Sequence, residues 1–163
     1  CCKDGVCSTI IGGEPGSGKT TLLRDIAYQL SSGYQGQYIQ VCLVDERGEL
    51  AAMHQGQAQN HFGPSCDILD GFSKSEGIMA AVRTLTPQVI LFDELGSDEE
   101  TEAVKSGLNS GVKFITSIHA GSMEEMLHKP QCQRLMETGA FAYLVQLGGR
   151  SSPGVIREVK KIG

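Results

Sequence analysis

The chain has 163 residues, of which 40% are hydrophobic and 20% are charged. This composition is typical of a globular protein and excludes a disordered tail or a charged coil. The length suits a single domain. The net charge of -5 argues against a broad basic surface for nucleic acid. The apolar runs are far shorter than the roughly 18 residues that a membrane-spanning helix needs.

The sequence begins with cysteine rather than methionine, only a few residues before its first predicted strand. We therefore expect residues 1–163 to be one domain from a longer protein, with an upstream domain absent. The six cysteines include no Cys-x-x-Cys pair, and no apolar leader precedes them, so we expect reduced cytoplasmic thiols. A zinc site at Cys1, Cys2 and Cys7 would need a fourth ligand, and none is identifiable.

Short apolar runs alternate with helical patterns along the chain. The pattern predicts, in order, a strand at 8–11, a helix from Gly18 to Gly33, a strand at 38–44, a long loop at 56–75, a helix around 78–85 and a strand at 88–92. It then predicts a helix with its N-cap at Asp98, a strand at 113–118, a helix over 123–138 broken at Pro130, and a hairpin of 143–147 and 155–159. This alternation implies a mostly parallel sheet covered on both faces, whose ligands bind beyond the carboxyl ends of the strands.

Residues 13–20 match the phosphate-binding pattern G-x-x-x-x-G-K-[ST] at every position. In such a loop, successive N–H groups surround an anion, and the positive end of the following helix adds to the same place. Lys19 would reach the β- and γ-phosphates, and the Thr20 hydroxyl would bind Mg²⁺. Because the pattern follows an apolar strand and opens an amphipathic helix, we prefer a nucleotide site to a chance match. The expected nucleotide-binding residues are Gly13, Glu14, Pro15, Gly16, Ser17, Gly18, Lys19, Thr20 and Thr21.

Two adjacent carboxylates, Asp93 and Glu94, follow the apolar run Val89–Phe92. One carboxylate at the end of a buried strand can order the shell of Mg²⁺ while its neighbour polarises an attacking water. We therefore assign Asp93 to the metal and Glu94 to the role of general base. The alternative, a solvated pair that begins a loop, is less favoured beside a phosphate loop. Two carboxylates also favour hydrolysis over simple binding.

His119 follows the strand predicted at 113–118. That strand is the next parallel strand in the chain after the one that leads to Asp93. From its end, the His119 side chain could reach the γ-phosphate and sense or position that group. The other explanation is a structural hydrogen bond, which is the commoner role of a single histidine at a strand end. Thr116 and Ser117 are alternative candidates for the same duty.

A further polar group follows the strand predicted at 38–44, and it consists of Asp45, Glu46, Arg47 and Glu49. Glu46 could orient water or metal, and Arg47 could neutralise charge on the transferred phosphoryl group, within its own chain or across a subunit boundary. The other explanation is a surface ion pair. Weaker candidates for the charge-neutralising role are Arg83 and Arg150.

Several longer segments extend beyond the phosphate loop, and two of them, Asp-Glu-Arg-Gly-Glu at 45–49 and Asp-Gly-x-x-Lys-x-Glu-Gly at 70–77, are far more specific than that loop. They are Gly-Glu-Pro-Gly-Ser-Gly-Lys-Thr-Thr-Leu-Leu-Arg-Asp-Ile-Ala at 13–27, Val-Asp-Glu-Arg-Gly-Glu-Leu-Ala at 44–51, Gln59-Asn60 through Gly63-Pro64 to Gly71, Lys74-Ser75-Glu76-Gly77, Pro87-Gln88-Val89-Ile90 with Asp93-Glu94, and Thr116-Ser117-Ile118-His119-Ala120. Together they resemble the stage III sporulation protein AA family over nearly the whole chain. That family is similar to the ATPases of type II and type IV secretion and pilus systems.

The resemblance implies an α/β fold of the P-loop NTPase (RecA/AAA-like) class, a three-layer sandwich with a mostly parallel central sheet and a C-terminal β-hairpin. Lys19 and Thr20 would belong to Walker A, and Asp93 with Glu94 to Walker B. Secretion ATPases often carry Gly-Glu at Walker B, so metal handling could differ in detail. Glu46 falls where these enzymes have an acidic box, and His119 in their histidine box.

The resemblance also implies partners and a location. Family members are thought to power or assemble the channel that joins mother cell and forespore during endospore formation. ATP and Mg²⁺ would bind at the interfaces of a homo-oligomeric ring, expected to be hexameric, with an arginine reaching across. The protein would act in the mother-cell cytoplasm, held near the membrane by channel proteins.

Three other classes of function remain open from the residues alone. A nucleic-acid-linked ATPase shares these motifs, although the acidic charge and the lack of an aromatic and basic stripe weigh against it. A nucleotide-dependent scaffold would bind ATP and hardly hydrolyse it. A small-molecule kinase is a weaker candidate, because no acceptor pocket is identifiable.

Overall fold

The structure of the protein, a computed structural model, describes residues 5–33 and 36–163, so Cys1 and Cys2 lie outside it. Its strands are β1 (Ser8–Gly13), β2 (Val41–Asp45), β3 (Met53–His54), β4 (Gln57–Ala58), β5 (Cys66–Asp70), β6 (Val89–Phe92), β7 (Lys113–His119), β8 (Phe141–Leu147) and β9 (Ile156–Lys161). Its helices are α1 (Lys19–Ser31), α2 (Lys74–Thr84), α3 (Asp98–Asn109), α4 (Met123–His128) and α5 (Pro130–Met136). Pro130 separates α4 from α5, as expected.

Seven strands form the main sheet in the order β5-β2-β6-β7-β1-β8-β9, while β3 and β4 pair with each other. The first six strands of that order run parallel, and β9 returns antiparallel to β8. The expected α/β fold with a mostly parallel sheet and a C-terminal hairpin is therefore confirmed.

The core occupies both faces of this sheet. In β6, Val89 and Leu91 belong to the apolar cluster that includes α1, whereas Ile90 and Phe92 belong to the cluster that includes α2 to α5. All four side chains are fully buried. Because successive side chains of a strand point to opposite faces, a strand covered twice needs apolar residues at every position. The continuous apolar runs in the sequence thus build three layers.

The segment 56–75, predicted to be a long loop, is more ordered than that. It contains β4, the edge strand β5 and the first two residues of α2. β5 is only partly buried and carries Asp67 and Asp70, a residue type that is depleted in strands, so its pattern does not stand out in the sequence. The prediction was also wrong by one residue at α3, where Ser97 rather than Asp98 is the N-cap.

The cysteines only partly follow expectation. Cys42, Cys66 and Cys132 are free thiols, and burial raises the pKa of both Cys42 and Cys66 to about 12. Cys7, however, is disulfide-bonded, so the expectation of reduced thiols was wrong there.

Four neighbouring strands, β2, β6, β7 and β1, bring their carboxyl ends to one edge of the sheet. These are the four strands after which the sequence places its polar clusters, so the topology collects those clusters in one region. Within residues 5–33 and 36–163, no helix is long and apolar enough to cross a membrane.

Candidate functional site

The loop between β1 and α1 depends on glycine at its turns. Gly16 and Gly18 have φ angles of 78° and 92°, a backbone region that favours glycine. A Cβ atom on Gly18 would lie 2.8 Å from the backbone nitrogen of Gly154. That nitrogen donates a hydrogen bond to the carbonyl of Ser17 (2.8 Å), so the loop between β8 and β9 packs directly on the phosphate loop.

The side chain of Lys19 lies along the inside of this loop and is only 8% exposed. Its Nζ donates to the carbonyl oxygens of Gly13 (2.8 Å) and Glu14 (2.9 Å). Burial lowers the pKa of Lys19 below its usual value, and the carboxylates of Asp93 and Glu94 oppose that shift. The loop therefore holds a cation among backbone groups, as a site for a polyanion requires.

The amino end of α1 differs from those of the three helices that follow it. A serine side chain caps each of α2, α3 and α4, and it accepts a hydrogen bond from a backbone N–H of the first turn. In α1 the N-cap is Gly18, no described side chain caps the helix, and the first turn has no acidic residue. The N–H groups at this end are therefore suited to an anion from outside the chain.

Asp93 follows β6 and is held from both sides. Its two carboxylate oxygens accept hydrogen bonds from the hydroxyls of Thr20 and Ser117. Thr20 comes from the first turn of α1, and Ser117 comes from β7, whose register with β6 places Thr116 opposite Phe92. The structure thus joins the two motifs expected to bind Mg²⁺.

Ser117 and Thr116 were expected only as alternatives for contacting a phosphate. The Ser117 hydroxyl is instead engaged with Asp93, and it accepts a hydrogen bond from the N–H of Glu94 (2.9 Å). Thr116 is buried, and its hydroxyl donates to the carbonyl of Ser117 (3.4 Å). The sequence analysis missed the link between Ser117 and Asp93, because the link depends on the pairing of β6 with β7, which no local pattern predicts.

The Glu94 carboxylate lies between two other predicted residues. Its Oε1 is 3.7 Å from Nε2 of His119, and its Oε2 is 3.9 Å from Nη1 of Arg47. The Glu94 side chain is 48% exposed, so water can reach it. Its backbone adopts a φ of 63°, which is uncommon for a residue with a side chain.

The end of β2 contributes both a structural and a solvent-facing carboxylate. Asp45 is buried and accepts hydrogen bonds from the N–H groups of Leu50 (3.2 Å) and Ala51 (2.8 Å). Glu46 is exposed. An open pocket here is lined by Val44, Asp45, Glu46, Arg47, Glu49, Leu50, Lys74, Asp93 and Glu94. The structure thus brings Glu46 and Arg47 beside the two carboxylates that follow β6.

The two weaker arginine candidates have different surroundings. Arg150 lies on the phosphate loop, where its Nε donates to the carbonyl of Pro15 (3.0 Å). Arg83 is in the last turn of α2 and does not line the pocket. Among the residues that the structure describes, no group of three or more His, Cys, Asp or Glu side chains could hold a metal ion by itself.

Comparison with known proteins settles the family. The model of the family described as "Sporulation stage III, protein AA" matches residues 1–162. The chain belongs to that family. Over 153 residues it is 37% identical to stage III sporulation protein AA of Bacillus subtilis (strain 168). The aligned residues cover 93% of this chain and 50% of that relative. This member of the sporulation stage III protein AA family therefore spans half the length of that relative.

Solved structures identify the fold. The ATPase DotB of Legionella pneumophila superposes with a TM-score of 0.69 at 16% identity, covering 96% of this chain and 46% of DotB. The VirB11 ATPase of the Brucella suis type IV secretion system, solved with sulphate, gives a TM-score of 0.64 at 21% identity, covering 95% of this chain and 48% of VirB11. The chain thus has the same α/β fold as these two ATPases.

Proposed function

We propose that this chain binds ATP with Mg²⁺ and hydrolyses the nucleotide. The observation that carries the proposal is the contact between the Thr20 hydroxyl and the Asp93 carboxylate, beside Lys19 and at the uncapped end of α1. It puts the residues expected to hold phosphate and the residues expected to hold metal in one place. The fold of the solved secretion ATPases is consistent with this function.

The phosphate loop fits a triphosphate. Its turns at Gly16 and Gly18 have positive φ angles that favour glycine, and a Cβ on Gly18 would also meet the backbone of Gly154. The Ser17 hydroxyl is buried without a hydrogen-bond partner among the described residues. We propose that the backbone of Gly13–Thr21 surrounds the phosphates. Lys19 would leave the carbonyl oxygens of the loop to contact the β- and γ-phosphates, a stronger bond because both partners are charged.

Thr20 and Asp93 fit Mg²⁺ in the way that nucleotide sites use it. Mg²⁺ is bound by one or two protein oxygens, by water and by the phosphates, so a complete cage of protein ligands is not required. When bound, Mg²⁺ would neutralise charge on the phosphates. Ser117 would keep the Asp93 carboxylate oriented through its hydrogen bond to the second oxygen.

Glu94 is the residue we assign to activation of water. Its carboxylate is accessible, and it lies within 4 Å of both Arg47 and His119. We propose that Glu94 accepts a proton from the attacking water, that His119 contacts the γ-phosphate, and that Arg47 neutralises charge as the phosphoryl group transfers. Glu46, in the same pocket, would orient water.

The test is Glu94→Gln, which keeps the shape of the side chain and removes its basic oxygen. We expect ATP turnover to fall at least about 100-fold while ATP affinity, measured by calorimetry with Mg²⁺, stays within about twofold. Glu102→Gln is the matched control, because Glu102 is an exposed glutamate of α3 paired with Lys105. Equal turnover by Glu94→Gln and wild type would remove Glu94 from its role, and no heat of ATP association with wild type would reject the function itself.

We propose further that the chain is one ATPase domain of a longer protein. By similarity to secretion ATPases, that protein would form a homo-oligomeric, hexameric ring with nucleotide at its interfaces. It would power or assemble the channel between mother cell and forespore from the mother-cell cytoplasm. A steep rise of ATP turnover with concentration of the complete protein would support the ring, and constant specific activity would count against it.

A further inference from the structure

Lys74 makes a contact that the assigned roles do not use. It is the first residue of α2, and its Nζ donates a 2.5 Å hydrogen bond to the backbone carbonyl of Glu94. The same Nζ lies 3.1 Å from Oε1 of Glu100 in the first turn of α3. One ammonium group therefore connects α2, α3 and the residue proposed to activate water.

This ion pair is unlike an ordinary surface pair. The side chains of Lys74 and Glu100 are only 13% and 12% exposed. By comparison, the pair of Lys105 with Glu102 on the outside of α3 is 31% and 67% exposed. Removing two charges from water is costly, and a buried pair is often no more stabilising than apolar residues of similar size. Stability alone is therefore a weak reason for Lys74 to be there.

Glu100 extends the same contact along the chain. Its second oxygen, Oε2, accepts hydrogen bonds from the N–H groups of Gly96 (2.8 Å) and Ser97 (3.3 Å). Lys74 binds the segment 94–97 at its start through the carbonyl of Glu94, and Glu100 binds it at its end. The pair thus contacts both ends of the segment that follows Asp93.

The backbone of Glu94 needs such support. Its φ of 63° lies in the left-handed region, which is unfavourable for a residue with a side chain and persists only where surrounding contacts impose it. The N–H of Glu94 donates to the Ser117 hydroxyl, and its carbonyl accepts from Lys74. Both polar groups of the Glu94 backbone are therefore held, and they determine the direction in which its carboxylate leaves the chain.

We propose that Lys74 is a positioning residue for hydrolysis, which holds Glu94 in its left-handed backbone so that the Glu94 carboxylate faces the phosphate site. Lys74 lines the same pocket as Glu94, and its ammonium group is engaged by the Glu94 carbonyl and the Glu100 carboxylate, so its proposed role is exerted through those two residues. The inference rests on the proposed ATP hydrolysis and deepens it. A pair with a structural role only, joining α2 to α3, would stabilise the fold without affecting the catalytic step.

The experiment compares Lys74→Met with Lys105→Met, its matched control in an exposed pair. We expect Lys74→Met to lower kcat about 10- to 100-fold, because a displacement of about 1 Å at the reacting groups has effects of that size. KM and ATP affinity should change less than about twofold, because the phosphate loop is untouched. Lys105→Met should behave as wild type, and Lys74→Arg should restore part of kcat, since its guanidinium can still donate to the carbonyl and the carboxylate.

Two further measurements test the inference, and the first of them does not depend on whether Lys74→Met folds. Glu100→Gln retains an acceptor for the Gly96 and Ser97 amides while weakening the attachment of Lys74, and it should also lower kcat without raising KM. Hydrogen exchange should quicken at the amides of 94–97 in the Lys74 variant but not in the control.

The outcomes separate this inference from the function beneath it. If wild type hydrolyses ATP, Glu94→Gln abolishes turnover and Lys74→Met leaves turnover unchanged, the positioning role alone is overturned. The positioning role is also overturned if the apparent kcat falls only in proportion to the unfolded fraction, with normal turnover per folded molecule. A wild-type protein without turnover would overturn both proposals.

Discussion

Helices α1 and α3 start in similar positions but differ in the groups that bind the free backbone N–H groups of their first turns. Each helix follows a loop from the carboxyl end of a central parallel strand. At α3, Ser97 and Glu100 form a capping box in which each side chain accepts from the other's backbone N–H. At α1, Gly18 has no side chain, and Lys19 is the first helical residue. A helix end closed by its own chain stabilises the fold, whereas an end left open can bind an anion.

The difference is also one of charge. The first turn of α3 contains Asp98, Glu99 and Glu100, which complement the positive end of the helix dipole. The first turn of α1 contains no acidic residue and holds the buried ammonium of Lys19 instead. The positive end of the α1 dipole and the Lys19 ammonium repel each other when no anion is bound. Binding of a polyphosphate would relieve this repulsion and would therefore be more favourable.

Gly18→Ala should have the largest effect on this comparison. The new Cβ would sit 2.8 Å from the nitrogen of Gly154 at a φ of 92°. Backbone strain and overpacking together predict a loss of about 2–5 kcal/mol in the free energy of unfolding, together with loss of ATP binding. Gly111→Ala is the matched control, with a φ of 86° and nothing within 4 Å of its Cβ. Urea unfolding of both variants measures the difference, and equal losses would show that the contact with Gly154 has no effect.

Lys19→Ala should weaken ATP binding about 10- to 100-fold, because it removes a charge-assisted hydrogen bond worth about 1.5–3 kcal/mol. The open end of α1 would remain, so some affinity should persist. Calorimetry with Mg²⁺ and ATP measures the change, and Lys105→Ala serves as the control on an exposed lysine. Affinity unchanged by Lys19→Ala would mean that the loop does not hold the triphosphate.

Ser97→Ala should have the smallest effect. It removes the cap of α3 and should lower the free energy of unfolding by about 1 kcal/mol, with ATP affinity unchanged because the amino end of α1 is intact. Urea unfolding and calorimetry on the same preparation test both halves. A larger effect on ATP affinity than on unfolding would show that the two helix ends do not have separate roles.

Much of the fold could be predicted from local pattern. The runs at 88–92 and 113–118 are strands because both faces of the sheet are covered, and Pro130 divides a helical segment because proline cannot continue a helix. β5 was missed because an edge strand is only partly buried and its alternation of polar and apolar residues is weak. Strand order was not predicted, since it depends on how connections cross the sheet rather than on any local pattern.

The same distinction between local sequence pattern and tertiary arrangement applies to the candidate site. The phosphate-loop pattern, the helix that follows it and the carboxylates of Asp93 and Glu94 could be predicted from sequence, because these features follow from the order of neighbouring residues. The contacts of Ser117 with Asp93 and of Lys74 with Glu94 could be found only in the folded protein. Both contacts join residues at least 20 positions apart, and they depend on which strands and helices become neighbours when the two faces of the sheet are buried.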